Sequence, residues 1–275
     1  MTTTAPVTSG TVAVPDGTLY YEVRGSGPLI ALVGAPMDSG PFGALAELLA
    51  TDYTVLCPDP RGHGRSTVID AGQDSTPELR ADDLARVITH IGQGPAVVLG
   101  SSGGAITGLA LAIARPELVS TLIAHEPPLR ELLDNRAELT ALTDEMIAVY
   151  NSGDPIGAMR KFGEMTGLSM PEEMLEQIFG GERDPRAIAS DDFFYRHELH
   201  PTSGWRPSLD ALRATAARIV IGIGDESADL FCDRTSRALG AELGIEPTLF
   251  PGGHAGFMEQ PEAFAERVRE VIEAT

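Results

Sequence analysis

A chain of 275 residues, 43% of them hydrophobic, can bury one large core or a core with an insertion. Its 40 acidic residues outnumber 20 basic ones, and the net charge of −20 argues against nucleic acid as a partner, because that field repels phosphate backbones. MTTTAPVTSG lacks the basic start and apolar run of a secretory signal, no run of about 18 apolar residues suggests a membrane span, and Cys57 and Cys232 have no metal-ligand spacing. A reduced, cytoplasmic protein without membrane association is expected.

Along the chain, residues 11–14 and 18–23 flank the turn Pro15-Asp16-Gly17 and read as a hairpin. Further strands are expected over 28–34, 53–58, 96–100, 121–125, 218–224 and 247–250. The middle runs are apolar at nearly every position, as parallel strands buried on both faces require. Between them, spacing near 3.6 predicts helices over 42–50, 77–91, 104–114, 235–244 and 261–274. This alternation implies an α/β fold with a mostly parallel sheet flanked by helices.

Residues 128–206 break the alternation. They carry helical patterns at 136–150, 154–166, 171–180 and 191–199, punctuated by prolines, and no strand. They read as a helical cap inserted into a core formed by 1–127 and 207–275. An insertion there can roof a site at the C-terminal ends of the strands.

The strand at 96–100 runs into Gly100-Ser101-Ser102-Gly103-Gly104 and then a helix. This G-x-S-x-G pattern, between strand and helix, needs small residues because the turn is sharp. It lifts the Ser102 hydroxyl above the sheet, beside a helix N-terminus that favours an oxyanion. A phosphate loop is disfavoured, since the Lys of G-x-x-x-x-G-K and the G-x-G-x-x-G spacing are both missing. Ser101 lies off the centre of the motif.

Four segments in order resemble the α/β-hydrolase family: PLIALVGAP (28–36), PDPRGHGRS (58–66), GSSGG (100–104) and FPGGHAGFMEQPEAF (250–264). The family's frequent His-Gly is Val33-Gly34 here. The resemblance implies a serine hydrolase with the α/β-hydrolase fold, a triad in the order Ser, acid, His, and no metal or organic cofactor.

Of the six histidines, only His254 sits in a Gly-rich loop after the last strand, on the side where Ser102 should emerge. It is the expected base toward Ser102 and acid toward the leaving group. His63 reads as framework, His90 as a helix-end residue, His125 as core, and His197 and His200 as surface of the insertion. For the acid, the family's usual G-x-x-D reads Gly224-Asp225-Glu226-Ser227, so Ser227 takes the aspartate position. Glu126 directly follows the strand at 121–125, and Pro127 and Pro128 fix the chain's exit. The zearalenone-type lactone hydrolases of this family carry a similar His-Glu-x-Pro segment. Glu126 is therefore the preferred acid, with Asp225 as the alternative.

One oxyanion donor is expected at the N–H of Gly103 and a second at Ala35, since Pro36 has no N–H. Met37, Phe42, Trp205 and Met258 are candidate substrate contacts, with Phe193, Phe194 and Tyr195 from the insertion. The expected partner is a moderately apolar small-molecule ester or lactone, and a homodimer is compatible with the sequence. Carbon–carbon bond hydrolysis, perhydrolase or haloperoxidase chemistry with the same triad, and a non-catalytic ligand-binding role stand as alternatives.

Overall fold

The computed structural model describes residues 5–274. Its strands are β1 (Thr8–Val14), β2 (Gly17–Arg24), β3 (Leu29–Val33), β4 (Thr54–Pro58), β5 (Thr67–Val68), β6 (Ala96–Ser101), β7 (Val119–His125), β8 (Arg218–Gly224) and β9 (Thr248–Phe250). They make one sheet in the order β1-β2-β4-β3-β6-β7-β8-β9, with β5 paired to β2. All pairs from β4 to β9 are parallel, and those involving β2 are antiparallel. Every residue of β3, β4 and β6 is buried, the pattern of strands covered on both faces.

The core helices are α1 (Gly43–Leu49), α2 (Pro77–Ile91) and α3 (Gly103–Ala114). The helical insertion follows with α4 (Arg136–Asn151), α5 (Pro155–Thr166), α6 (Glu172–Phe179), α7 (Pro185–Phe193) and α8 (Leu199–Ser203). The chain then returns through α9 (Leu209–Ala214), α10 (Phe231–Leu243), α11 (Gly256–Glu259) and α12 (Pro261–Glu273). The period-2 alternation of the strands divides the core. On β6, Val98 packs with Leu84 and Ile88 of α2 and with Ile106 and Leu109 of α3. Its neighbours Val97 and Leu99 face Leu45 and Leu49 of α1 and Phe264 and Val268 of α12. Helix ends follow local chemistry: Thr76 Oγ1 accepts from Leu79 N–H at 3.2 Å, Pro77 opens α2, and Gly92 closes it at φ 74°. Among the described residues no helix is long and apolar enough to cross a membrane.

Helices α4 to α8 lie between β7 and β8; Met146 and Tyr150 of α4, Ala158 of α5, Tyr195 between α7 and α8, and Leu199 of α8 form a small core. Helix α7 begins at Pro185, earlier than the expected 191, because Asp184 caps it by accepting from Arg186 N–H at 2.8 Å with proline in the first turn. Residues Phe194–Glu198 then form a π-turn between α7 and α8.

Trp205 fastens the returning chain. It packs on the core face shared with α2 and α3, and its Nε1–H donates to Glu78 at 2.6 Å. Trp205→Ala is expected to lose about 1–3 kcal/mol of stability while KM stays unchanged. Chemical denaturation beside steady-state kinetics checks this; a raised KM at unchanged stability would contradict it.

Candidate active site

Between β6 and α3 the chain turns so sharply that Ser102 sits at φ 56°, ψ −124°, a conformation disfavoured for an L-residue. Its N–H donates to the His125 carbonyl at 2.9 Å, and its carbonyl accepts from Ala105 N–H at 2.9 Å. The glycines are needed for space. A Cβ on Gly100 would strike the Gly104 carbonyl, one on Gly103 the Ala35 carbonyl, and one on Gly104 the Val33 carbonyl. These are backbone atoms of strand β3, the loop after it and the first turn of the helix after Ser102, packed against one another, and cannot swing aside. Gly104→Ala is expected to lose about 2–4 kcal/mol of stability, read by urea denaturation; wild-type stability would show that the elbow can open.

Glu126 leaves the end of β7 at φ 52°. Its N–H donates to the Gly222 carbonyl of β8 at 3.0 Å. Its side chain is 1% exposed, with Oε1 accepting from Gly224 N–H at 2.9 Å and Oε2 at 2.6 Å from His254 Nδ1. Burial alone would raise this carboxyl's pKa, but the hydrogen bond and charge of His254 outweigh it and bring it to about 2. Asp225 does other work. Its Oδ1 accepts from Gly252 N–H at 2.9 Å, tying the turn after β8 to the loop that carries His254. Ser227, at the family's usual acid position, is fully buried.

With Nδ1 committed to Glu126, His254 keeps its Nε2 for another partner, and it lines one cavity with Ser102. Burial works against the imidazolium, but the adjacent Cys232 sulfur and the Glu126 carboxylate hold the His254 pKa above the ordinary imidazole value. Burial also pushes the Cys232 thiol up, so it stays protonated and the lasting charge is that of Glu126.

The sign of the pH dependence follows. Only neutral His254 can accept a proton, so kcat/KM for an ester is expected to rise along a limb above the usual imidazole value of 6.5. Glu126→Gln removes the stabilising charge and should move that limb toward lower pH. A limb at the same pH in both proteins would contradict this coupling.

Glu126, Cys232 and His254 place ligand atoms within 4.8 Å of one another. They form a hydrogen-bonded cluster rather than an open metal site. Both Glu126 oxygens are engaged, by Gly224 and His254, and metal binding would need the Cys232 thiolate. Cys232 was legible in the sequence only as a lone cysteine, with nothing local to link it to His254.

Ala35 and Gly103, the residues expected to carry the oxyanion donors, line the same cavity as Ser102. The expected substrate contacts lie elsewhere. Phe42 is buried and stacks on Phe257 at 4.7 Å, and Met37 packs on the same core. Met258 is 48% exposed, and Trp205 is held by Glu78. None of the four lines this cavity, whose apolar walls come instead from residues such as Phe162, Met165, Leu168, Phe194 and Phe231. Of the expected insertion aromatics, Phe194 lines it, Phe193 meets His63 edge-on at 5.5 Å, and Tyr195 stacks on Tyr150 at 4.2 Å. His197 and His200 bond to Asp74 and Asp144 and lie off the cavity. His125 is fully buried between Phe250 and Phe264.

A nucleophile elbow at the C-terminal end of a central parallel strand, with a carboxylate–imidazole pair beside it, is the arrangement of an α/β-hydrolase. Residues 29–267 match the model of the alpha/beta hydrolase family, and the chain belongs to that family. It is 31% identical over 280 residues to an uncharacterized hydrolase of Bacillus subtilis, covering 97% of each chain. It is 25% identical over 284 residues to the zearalenone hydrolase of Bionectria ochroleuca, covering 97% of this chain and 98% of that one. Among solved structures it resembles a thermophilic esterase from Thermogutta terrifontis, with a TM-score of 0.73, 24% identity and 98% of each chain covered.

Proposed function

We propose that this enzyme hydrolyses a carboxylic ester or lactone of a moderately apolar small molecule through an acyl-enzyme on Ser102. The observation that carries the reading is the 2.6 Å contact between Glu126 Oε2 and the Nδ1 of His254, a residue that lines one cavity with Ser102. Full-length similarity to a zearalenone hydrolase supports the lactone part, and the apolar walls support the substrate's character.

In this reading Ser102 Oγ attacks the carbonyl carbon while its proton passes to His254 Nε2. The N–H groups of Ala35 and Gly103 hold the tetrahedral oxyanion. The carbon–oxygen bond to the leaving group then breaks, and His254 returns the proton to the departing alkoxide. Water, deprotonated by His254, repeats the sequence on the acyl-enzyme and restores Ser102. Glu126 keeps the imidazole oriented and stabilises the imidazolium in both halves.

A fluorophosphonate is expected to modify Ser102 and stop turnover of an aryl ester or lactone panel that includes a macrocyclic resorcylic lactone. Peptide mass spectrometry locates the adduct. Turnover that survives complete labelling, or a protein that never labels, would remove the serine mechanism.

A further inference from the structure

On the cap side of the cavity lies a polar group that the reaction does not use. Glu198 ends the π-turn Phe194–Glu198, and such turns often mark functional positions because the wider turn re-aims side chains. Phe194 and Glu198 both line the cavity with Ser102. The Glu198 side chain is 1% exposed.

One of its oxygens is occupied. Oε2 lies 3.0 Å from His63 Nε2 and accepts from Ser75 Oγ at 3.4 Å. Arg80 Nη1 is 3.8 Å away and donates to Ser75, while Arg80 Nη2 donates to Thr202. These contacts join cap to core, and they account for Oε2. They do not account for Oε1, which is buried without a hydrogen-bond partner. Burial would raise the carboxyl's pKa, but His63 and Arg80 outweigh it and keep the group ionised. A buried carboxylate oxygen left unmatched on a residue that lines the cavity is costly, and a bound molecule that brings a donor to it removes the cost.

We propose that Glu198 Oε1 makes this cavity select substrates carrying a neutral hydrogen-bond donor, a hydroxyl or amide N–H, remote from the scissile carbonyl. The donor is neutral because Arg80 already balances the carboxylate, so a buried ammonium would stay uncompensated. The proposal rests on the ester or lactone hydrolase reading of the same cavity and names the substrate feature it recognises.

The test uses nitrophenyl esters of a homologous series of ω-hydroxyalkanoates, each paired with its deoxy counterpart and its ω-ammonium analogue. At one chain length, kcat/KM for the hydroxyl ester should exceed that for the deoxy ester by about 10- to 100-fold. The hydroxyl ester should also exceed the ammonium ester. In Glu198→Leu no side-chain oxygen or nitrogen remains to bond the substrate hydroxyl, and the hydroxyl preference should collapse. The wild-type series decides the matter even if that variant folds poorly. Ser102-dependent turnover of all esters without hydroxyl preference at any length would overturn the proposal and leave the hydrolase reading intact. A preference for ammonium would overturn the neutral-donor assignment. If no ester is turned over and Ser102 does not label, the hydrolase reading fails. Calorimetric binding of the hydroxyl and deoxy acids then decides the role of Glu198, equal affinities counting against it.

Discussion

Glu126→Ala is expected to lower kcat by about a thousand- to ten-thousand-fold, with KM little changed, while Asp225→Ala stays within about threefold of wild type. The two carboxylates are close in the fold but differ in what they touch. Glu126 reaches the imidazole at 2.6 Å from a buried position, so its charge acts with little screening. Asp225 spends its oxygen on the Gly252 N–H. Losing that bond should cost about 1 kcal/mol of stability and leave the tautomer of His254 alone. Glu126→Gln separates charge from shape: it keeps the volume and a hydrogen-bonding oxygen but cannot stabilise an imidazolium, so it should resemble Glu126→Ala in kcat. There is a stability signature as well. The folded pKa of Glu126 is depressed from 4.5 to about 2. Its contribution is therefore present above the unfolded value and lost as pH falls through that window. Wild type should lose stability between those pH values more steeply than Glu126→Gln. Kinetics on the three variants, with acid titrations followed by circular dichroism, give both answers. A larger fall in kcat for Asp225→Ala than for Glu126→Ala would reverse the assignment of the acid.

The parts of this fold that sequence patterns reveal are those set by local physics. Strands buried on both faces show as unbroken apolar runs, so β8 falls on the expected 218–224. Helix α2 falls on 77–91 because a threonine cap, a first-turn proline and a terminal glycine bracket its apolar face. Ser102 is legible for the same reason: its strained turn demands a glycine on either side. Glu126 needed a resemblance, since nothing local distinguishes a carboxylate aimed at His254, 128 residues away, from one that starts a helix. The cavity walls were least legible. Phe42 and Phe194 are equally apolar in sequence, but one stacks inside the core and the other lines the cavity after a π-turn. A π-turn has no periodicity signal in so short a stretch, and so the face that Glu198 presents was also hidden. Asp184-Pro185, in contrast, is an ordinary helix-start signal that places α7 earlier than the apolar spacing alone.

Ser102→Gly should abolish turnover and, at the same time, make the protein at least as stable as Ser102→Ala. The catalytic half follows from the proposed mechanism: without the hydroxyl no acyl-enzyme forms, and kcat should fall by about a million-fold in either variant. The stability half follows from the backbone. At φ 56°, ψ −124° the Cβ of residue 102 is in a disfavoured region, where strain is on the order of 1–3 kcal/mol. Alanine keeps that Cβ and its strain. Glycine relieves it, against about 0.5–1 kcal/mol of extra entropy lost on folding. The difference should favour Ser102→Gly by roughly 1 kcal/mol, or about 2–4 °C in Tm for a chain of this size. Packing cannot produce that order, because glycine removes a methyl group and would otherwise lower stability. If Ser102→Gly melted well below Ser102→Ala, the elbow would not be storing strain. The exposure of the hydroxyl would then owe nothing to backbone tension. If it melts above, the fold gives up stability at one residue to hold the Ser102 hydroxyl clear of the sheet.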